Sequence, residues 1–296
     1  MSRVNPRPAT RDDFPALAEL FNAADEAIIG RPAGIDVHEV DGWLGTVALD
    51  TNTWLFEEGG ALVAAGFADR HGDIGVLAGA VRPDKRGLGY GSDIVARAER
   101  RLAEEGAPRY HAWATAGDEL AAELFRIRGF TGVRRFWEME IDLGDEPPAA
   151  PPVAVDSFRE DEGPAFHAAL EEAFADHWEP HPEPFDSWWQ RQIGRSNYDP
   201  KLWFVIRDGD EIAAIARNEI RGSGGYIGAL GVRRAWRGRG HGRALLRHSF
   251  RAFHERGLRR VTLGVDAANP TGATRLYESV GMHATREAVV WEKIPA

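Results

Sequence analysis

The sequence predicts a mixed α/β (α+β) fold made of two similar domains, each with a mostly antiparallel central sheet flanked by helices. The first observation is an internal repeat, because the glycine-rich segment 81–91 has a counterpart at 232–242, about half the chain further on. The second is the stretch 144–152, which holds four prolines and is typical of a stiff, solvated linker. We therefore predict an N-terminal domain over 1–143 and a C-terminal domain over 153–296.

The order of elements is clearest in the second half of the chain. Apolar residues at helical spacing predict a helix over 165–174, and Asp208-Gly209-Asp210 predicts a hairpin turn between two apolar strands. A third strand then leads into the glycine-rich segment, and helices and strands alternate after it. The predicted strands are 202–206, 211–220, 226–232, 261–265 and 289–291, and the later helices are 244–256 and 271–280. A meander of strands followed by alternating helices and strands indicates the mixed class.

Composition narrows the functional classes. Acidic residues outnumber basic ones by 46 to 36, and a net charge of −10 argues against non-specific binding to nucleic acid. The absence of cysteine excludes disulfides, thiolate catalysis and cysteine-based metal sites. The N-terminus leads into polar sequence without an apolar signal region, and no apolar run reaches membrane-spanning length, so we predict a cytoplasmic protein that binds no membrane.

The glycine-rich segment predicts an anion site. Arg237-Gly238-Arg239-Gly240-His241-Gly242 lies between a buried strand and a helix, where free backbone N–H groups and the helix dipole favour a phosphate. Glycine lets the backbone approach the anion closely. A dinucleotide-binding Rossmann site is the rival interpretation, but it requires alternating parallel strands and helices from the outset, whereas meandering strands precede this loop.

Two motifs resemble those of one superfamily. Arg-x-x-Gly-x-Gly after a strand that ends in valine resembles the coenzyme A pyrophosphate motif of the GNAT acyltransferases. The segment 265–282 resembles the same family's second signature, in which Asn-x-x-x-Ala-x-x-x-Tyr precedes glycine and a hydrophobic residue. The resemblance covers both halves, and the tandem arrangement is similar to that of the mycothiol synthase group.

The resemblance implies an acetyl-CoA-dependent N-acetyltransferase acting on a primary amine, with catalysis in the second domain. Backbone groups of the third strand would pair with the pantetheine arm, the loop amides would hold the pyrophosphate, and Asn269 would lie near the pantetheine. Tyr277 would stand beside the thioester sulfur and supply its proton. The implied cofactor-binding residues are Leu230, Gly231, Val232, Arg237, Gly238, Arg239, Gly240, His241, Gly242, Arg243 and Asn269.

The two copies differ at the positions that would do chemistry. Phe125 stands opposite Tyr277, and the stretch 114–119 places no asparagine opposite Asn269. The first glycine loop is intact, which leaves open whether the first domain binds coenzyme A or only packs. Its corresponding residues are Val81, Arg86, Gly87, Gly89 and Gly91.

One further segment concerns the residues that would bind the acceptor amine. The segment 176–189 holds acids, two histidines and three tryptophans, and we interpret it as an ordered loop at the acceptor pocket that would suit an ammonium group, or else as a solvated loop whose tryptophans cap the core. The general base is Glu219 or His177, acting through a water, because Tyr226 stands where the mycothiol synthase group suggests a glutamate. No metal is expected, since these residues lack regular ligand spacing.

Four functions stay open at this point. The first is acetyl transfer to a small-molecule amine by a monomer or homodimer. The second is mycothiol synthesis, and the third is a non-catalytic module that senses acyl-CoA. The fourth is acetylation of a protein at its N-terminus or at a lysine. Asn269 and Tyr277 together favour turnover, because a sensor has no use for a proton donor at sulfur.

Overall fold

The computed structural model describes residues 5–180 and 182–295, and the chain divides into two compact units. Unit 1 comprises Met1–Phe136 and Arg286–Ala296, and unit 2 comprises Trp137–Thr285. The division therefore falls before the predicted boundary at 143, and the last residues of the chain belong to unit 1. Within the described ranges no helix is both long and apolar enough to cross a membrane.

Unit 1 follows the predicted order of meander and alternating elements. Its strands are β1 (Thr53–Glu58), β2 (Ala61–His71), β3 (Ile74–Val81), β4 (Arg109–Thr115) and the first part of β5 (Thr131–Asp142). Its helices are α1 (Phe14–Ile29), α2 (Val37–Leu44), α3 (Leu49–Asn52), α4 (Tyr90–Glu104) and α5 (Glu119–Ile127). The strand order in this unit is β1-β2-β3-β4-β11-β5, where β11 (His283–Lys293) is the last strand of the chain.

Unit 2 repeats the pattern. Its strands are β6 (Asp156–Ser157), β7 (Trp203–Asp208), β8 (Glu211–Arg221), β9 (Gly224–Val232), β10 (Arg260–Asp266) and the first part of β11 (His283–Lys293). Its helices are α6 (Gly163–Phe174), α7 (Phe185–Ile193), α8 (His241–Glu255) and α9 (Ala273–Glu278). The strand order is β11-β5-β10-β9-β8-β7-β6. The mixed, mostly antiparallel α/β class predicted from the sequence is confirmed.

The last strand differs from the expectation that all of 153–296 belongs to one domain. Residues Ala288–Lys293 of β11 pair antiparallel with β4. Trp291 is buried there and packs against Phe125 in the core that also contains Phe130. Burial of this large ring provides a physical reason for the strand to lie in unit 1.

The predicted linker 144–152 contains neither helix nor strand. Two side chains of α8 bind its backbone: Arg251 donates to the carbonyl of Pro148, and a ring nitrogen of His254 lies 3.0 Å from the carbonyl oxygen of Asp145. This segment is therefore tied down within unit 2.

A buried core on one face of the unit 2 sheet fixes the position of α8. Leu245, Leu246 and Phe253 of this helix are fully buried against Ile227 of β9 and Leu263 of β10. Gly225 allows the close approach, because a β-carbon there would come within 2.6 Å of the Phe253 ring. Packing of this apolar face holds the start of α8 at the end of β9.

Candidate active site

The glycine loop of unit 2 joins β9 to α8 and is open on its outer side. Gly238 and Gly240 have φ values of 77° and 83°, in the left-handed region that favours glycine. A β-carbon built on either residue would meet nothing within 4 Å. The first amides of α8, from His241 onward, have no acceptor inside the helix. The loop therefore presents unobstructed N–H groups at a positive helix end, which suits a phosphate.

Arg237 does not point into this cradle. Its guanidinium donates to the carbonyls of Val232 at 3.2 Å and Ala173 at 3.3 Å, and it pairs with Asp176 at 3.0 Å. The family resemblance placed Arg237 among the residues that bind coenzyme A. Its side chain fastens the loop to the end of α6.

The other basic side chains of the loop remain at the surface. Arg239 and Arg243 are exposed, and each donates one hydrogen bond, to the Ala235 carbonyl and the Ser279 hydroxyl respectively. The Nδ1 atom of His241 is buried and has no partner among the described residues. Exposed guanidinium groups and an unsatisfied ring nitrogen beside free amides fit the pyrophosphate of coenzyme A.

The strand β9 separates from β10 after a short parallel contact. Only Gly225 and Tyr226 pair with β10, at Val261 and Thr262. On its other edge β9 pairs with β8 as far as Val232, so Leu230, Gly231 and Val232 stay part of the sheet. In the described structure, the β10-facing edge of these residues is open, and an extended chain such as pantetheine can pair with it.

A β-bulge at Gly228 marks the point of separation. Arg217 pairs with Ala229 and Asn218 with Ile227, which leaves Gly228 as the extra residue. The bulge reverses which residues face each side of the sheet. Ile227 packs towards α8, whereas Ala229 packs in the cluster with Phe166 and Trp188 of α6 and α7. Tyr226 and Gly228 therefore lie on the α6/α7 side.

Tyr277 lies in α9 and is 7% exposed. Burial, reinforced by the nearby Tyr226, raises the pKa of Tyr277 to about 12. The phenol thus keeps its proton throughout the neutral range and can donate it. Tyr226 extends its hydroxyl towards Gly264 of β10, where an added β-carbon would lie 3.5 Å away. The two tyrosines are thus close together near the strand separation.

Glu219 is buried on β8 among three arginines. Its carboxylate lies 2.7 Å from Arg221, and its second oxygen lies 3.4 Å from Arg195 and 3.7 Å from Arg217. Both oxygens are therefore already engaged with cations. This arrangement is less suited to accepting a proton from an amine than a carboxylate open to the substrate.

His177 follows α6 and packs against Phe174, with ring centroids 4.3 Å apart and the ring planes tilted by 40°. Burial lowers the pKa of His177, while Asp266 and Asp176 act to raise it and Arg237 to lower it. The imidazole is accordingly neutral near pH 7 and able to accept a proton.

Asn269 lies in the turn between β10 and α9. Its side-chain oxygen accepts hydrogen bonds from the amide and the hydroxyl of Thr271, at 2.8 Å and 2.5 Å. These bonds fix the entry into α9, and the side-chain nitrogen is the group left to donate to a ligand.

The segment 176–189 is not a single loop as the sequence suggested, because Phe185 begins α7. Trp188 is 4% exposed and packs on Phe166 and Trp203. Asp176 pairs with Arg234 and Arg237, and Glu183 pairs with Arg191. Trp188 and Trp189 build the core beneath α6 and α7, and Asp176 and Glu183 are already paired with arginines.

Unit 1 keeps the loop but lacks the bulge. Gly87 and Gly89 have φ values of 77° and 93°, and Gly91 is the second residue of α4. Arg86 donates to the Ala24 carbonyl and lies 3.4 Å from Asp118, in the manner of Arg237. Val81 pairs with Ala64 in a continuous register, and β3 and β4 share four parallel pairs. Phe125, opposite Tyr277, is buried in the core.

Sequence reasoning missed Arg217 and Gly228. A signal for the first was available, because Arg217, Glu219 and Arg221 recur at every second position of an apolar strand and must share one face. The bulge gave no such signal, since a glycine within a glycine-rich strand has many possible roles.

Comparisons with known proteins identify the family of the chain. Residues 15–130 and 164–282 each match the family described as Acetyltransferase (GNAT) family. A mycothiol acetyltransferase from Nocardiopsis dassonvillei is 32% identical over 68% of this chain and 69% of that protein. Another from Catenulispora acidiphila is 27% identical over 95% of each.

Among solved structures, a GCN5-related N-acetyltransferase from Sphaerobacter thermophilus matches with a TM-score of 0.85 and 31% identity. The match covers 99% of this chain and 96% of that one. Two family matches span most of the sequence, and the whole-chain fold agrees with them. The chain therefore belongs to the acetyltransferase (GNAT) family and is an N-acetyltransferase with two such domains in tandem.

Proposed function

We propose that this enzyme transfers an acetyl group from acetyl-CoA to a primary amine of a small molecule, and that unit 2 carries the reaction. The observation that carries the proposal is the asymmetry between the units. The bulge at Gly228, the early separation of β9 from β10 and the phenol of Tyr277 occur together in unit 2. Unit 1 has a continuous register between β2 and β3 and a phenylalanine at position 125.

The residues of unit 2 suit each part of acetyl-CoA. The open amides at Gly238, Gly240 and the start of α8 would bind the pyrophosphate, with Arg239 and Arg243 adding charge. The free edge of β9 at 230–232 would bind the pantetheine arm, and Asn269 would donate to it. Bound in this way, the cosubstrate supplies an acetyl group already activated as a thioester.

The side chains then have defined tasks. Backbone N–H groups near the bulge would stabilise the negative charge that gathers on the acetyl oxygen as the amine attacks. The C–N bond forms and the C–S bond breaks, and we assign to Tyr277 the proton that the departing sulfur takes up. His177 would accept the amine proton through a water. We prefer it to Glu219 because its imidazole is neutral, whereas both oxygens of Glu219 contact arginines.

A second candidate is mycothiol acetylation, favoured by the similarity to the mycothiol acetyltransferases from Nocardiopsis and Catenulispora. The cysteinyl amine of the mycothiol precursor is a primary amine, so the same machinery would serve. The two candidates differ only in the acceptor.

The experiment measures acetyl-CoA turnover with a panel of primary amines that includes the mycothiol precursor. The reaction is monitored by the release of free coenzyme A. We expect amine-dependent release that falls at least about tenfold in Tyr277→Phe, because the sulfur loses its proton donor. Phe125→Tyr in unit 1 is the matched control and leaves the rate unchanged. Binding of acetyl-CoA without turnover of any amine would favour the sensor instead.

A further inference from the structure

The face of the unit 2 sheet that looks towards α6 and α7 carries a group of arginines next to the strand separation. Arg217 and Arg221 project from β8 on this face, and Arg195 joins them from the segment after α7. Their side chains are 16%, 23% and 24% exposed. We call Arg195, Arg217 and Arg221 the arginine cluster.

The three arginines share one carboxylate, because Glu219 pairs with Arg195, Arg217 and Arg221. Burial lowers the pKa of Arg217 to about 10. Glu219 and Tyr226 act to raise that pKa, and Arg195 and Arg221 to lower it. At neutral pH the guanidinium of Arg217 therefore remains charged, and it can bind an anion.

Arg217 also has hydrogen-bonding capacity left over. Its Nη1 atom donates to Gln192 at 3.1 Å, whereas its buried Nε atom has no partner among the described residues. A guanidinium presents its donors in a fixed fork that matches a carboxylate or a phosphate. A buried donor without a partner costs free energy, so a ligand that satisfies it binds more tightly.

The cluster borders the reacting centre. The Nη2 atom of Arg217 lies where the bulge brings Gly228 to this face, within 2.9 Å of the position of an added β-carbon. Arg221 stacks on Tyr226, with the guanidinium carbon 3.4 Å from the ring centroid. Tyr226 also lies within electrostatic range of Tyr277. A group held by the arginines would thus lie beside the proposed position of the thioester.

From this juxtaposition we propose that the acceptor is an amine that also carries an anionic group, a carboxylate or a phosphate, held by Arg217 with Arg195. The inference rests on the proposed function and adds the class of acceptor to it. It replaces the ammonium site that the acids of 176–189 suggested, because Asp176 and Glu183 already pair with arginines.

The test compares matched acceptors that differ only in charge. Glycine is compared with glycinamide, and glucosamine 6-phosphate with glucosamine, by kcat/KM for acetyl transfer. We expect at least about a tenfold preference for an anionic partner, equivalent to one charge-assisted hydrogen bond. The pair with the larger preference shows whether the acceptor carries a carboxylate or a phosphate.

Variants connect the preference to the cluster. Arg217→Gln is expected to abolish it while acetyl-CoA binds as in the wild type, and Arg217→Lys restores part of it. Arg195→Gln, at a more exposed position, weakens the preference and covers the case in which Arg217→Gln fails to fold. Arg159→Gln is the matched control, since Arg159 is 63% exposed and its ion pairs are with Asp161 and Glu162.

A direct binding measurement separates this inference from the proposed function. Calorimetry compares N-acetylglycine and inorganic phosphate with N-acetylglycinamide, in the presence of coenzyme A. Tighter binding of an anion that is lost in Arg217→Gln supports the inference even if no amine on the panel is acetylated. Turnover of neutral amines as fast as anionic ones, or equal binding of the three probes, overturns it.

Discussion

The guanidinium of Arg217 occupies the space that a side chain at Gly228 would need, because its Nη2 atom lies 2.9 Å from the position of a β-carbon there. Gly228 is the extra residue of the β9 bulge, and its φ lies outside the left-handed region. The requirement for glycine at position 228 therefore comes from the Arg217 side chain and not from backbone strain.

Gly228→Ala is expected to displace Arg217 without unfolding the protein, since the obstructing atom is the end of a flexible side chain. We expect the melting temperature to change little and kcat/KM for an anionic amine to fall roughly tenfold. A double-mutant cycle with Arg217→Ala checks the cause. If Gly228→Ala costs as much activity in the Arg217→Ala background, the effect does not act through this arginine.

Gly238→Ala is expected to weaken acetyl-CoA binding by about tenfold or more, because a β-carbon would stand in the cradle of amides. Its φ of 77° adds a strain of about 1–2 kcal/mol. Gly257→Ala is the matched control, with a φ of 79°, nothing within 4 Å and a place after α8. Calorimetry with acetyl-CoA and thermal unfolding separate the two effects. Equal loss of binding in both variants would contradict the assignment.

Gly87→Ala extends this comparison to unit 1, since Gly87 has the same φ of 77° and the same open surroundings. We expect a drop in stability without a change in the rate of acetyl transfer, because unit 1 lacks the bulge and the phenol. A fall in kcat parallel to that of Gly238→Ala would show that unit 1 takes part in turnover.

The burial of His177 predicts that both the stability of the protein and the rate of acetyl transfer depend on pH. Burial lowers its pKa in the folded protein, whereas the unfolded chain takes up the proton near pH 6.5. Stability is thus fully present above about pH 6.5 and is lost as the pH falls through the lower folded pKa. His177→Phe should flatten this loss and also remove the acidic limb of kcat, as followed by melting temperature and initial rate across pH 5–8.

His248→Phe provides the control for that experiment. Burial also lowers the pKa of His248. This residue lies in α8, and its ring packs against that of Phe204 with centroids 4.4 Å apart. The variant should flatten the dependence of stability on pH in the same direction and leave the pH–rate profile unchanged. Loss of the acidic limb in this variant too would exclude a specific role for His177.

Substitution of Asn218 tests how much its buried hydrogen bonds stabilise β8 next to the bulge. It is 1% exposed and donates to the Leu202 carbonyl at 2.8 Å and to the Ser249 hydroxyl at 2.9 Å. Asn218→Ala leaves the carbonyl unsatisfied and should cost about 1–3 kcal/mol. Ser249→Ala keeps that bond and should cost roughly 0.5–1.5 kcal/mol. Urea unfolding measures both, and a larger loss in Ser249→Ala would contradict the argument.

The sequence by itself determined the repeat, the order of elements, the glycine loop before α8 and the exchange of Tyr277 for Phe125. These features depend on local patterns, because alternation, helical spacing and glycine at a strand–helix turn are properties of neighbouring residues. For the same reason the predicted helices and strands of the second half lie close to α6, α8 and the strands β7 to β10.

Only the tertiary structure decided the bulge at Gly228, the pairing of β11 with β4, the turning of Arg237 to α6 and the arginines around Glu219. Each depends on residues far apart in the chain, and a single extra residue in β9 reverses the faces of everything before it. The arginines around Glu219 meet because folding brings Arg195 of one segment to Glu219 of another, a pairing that no local pattern contains.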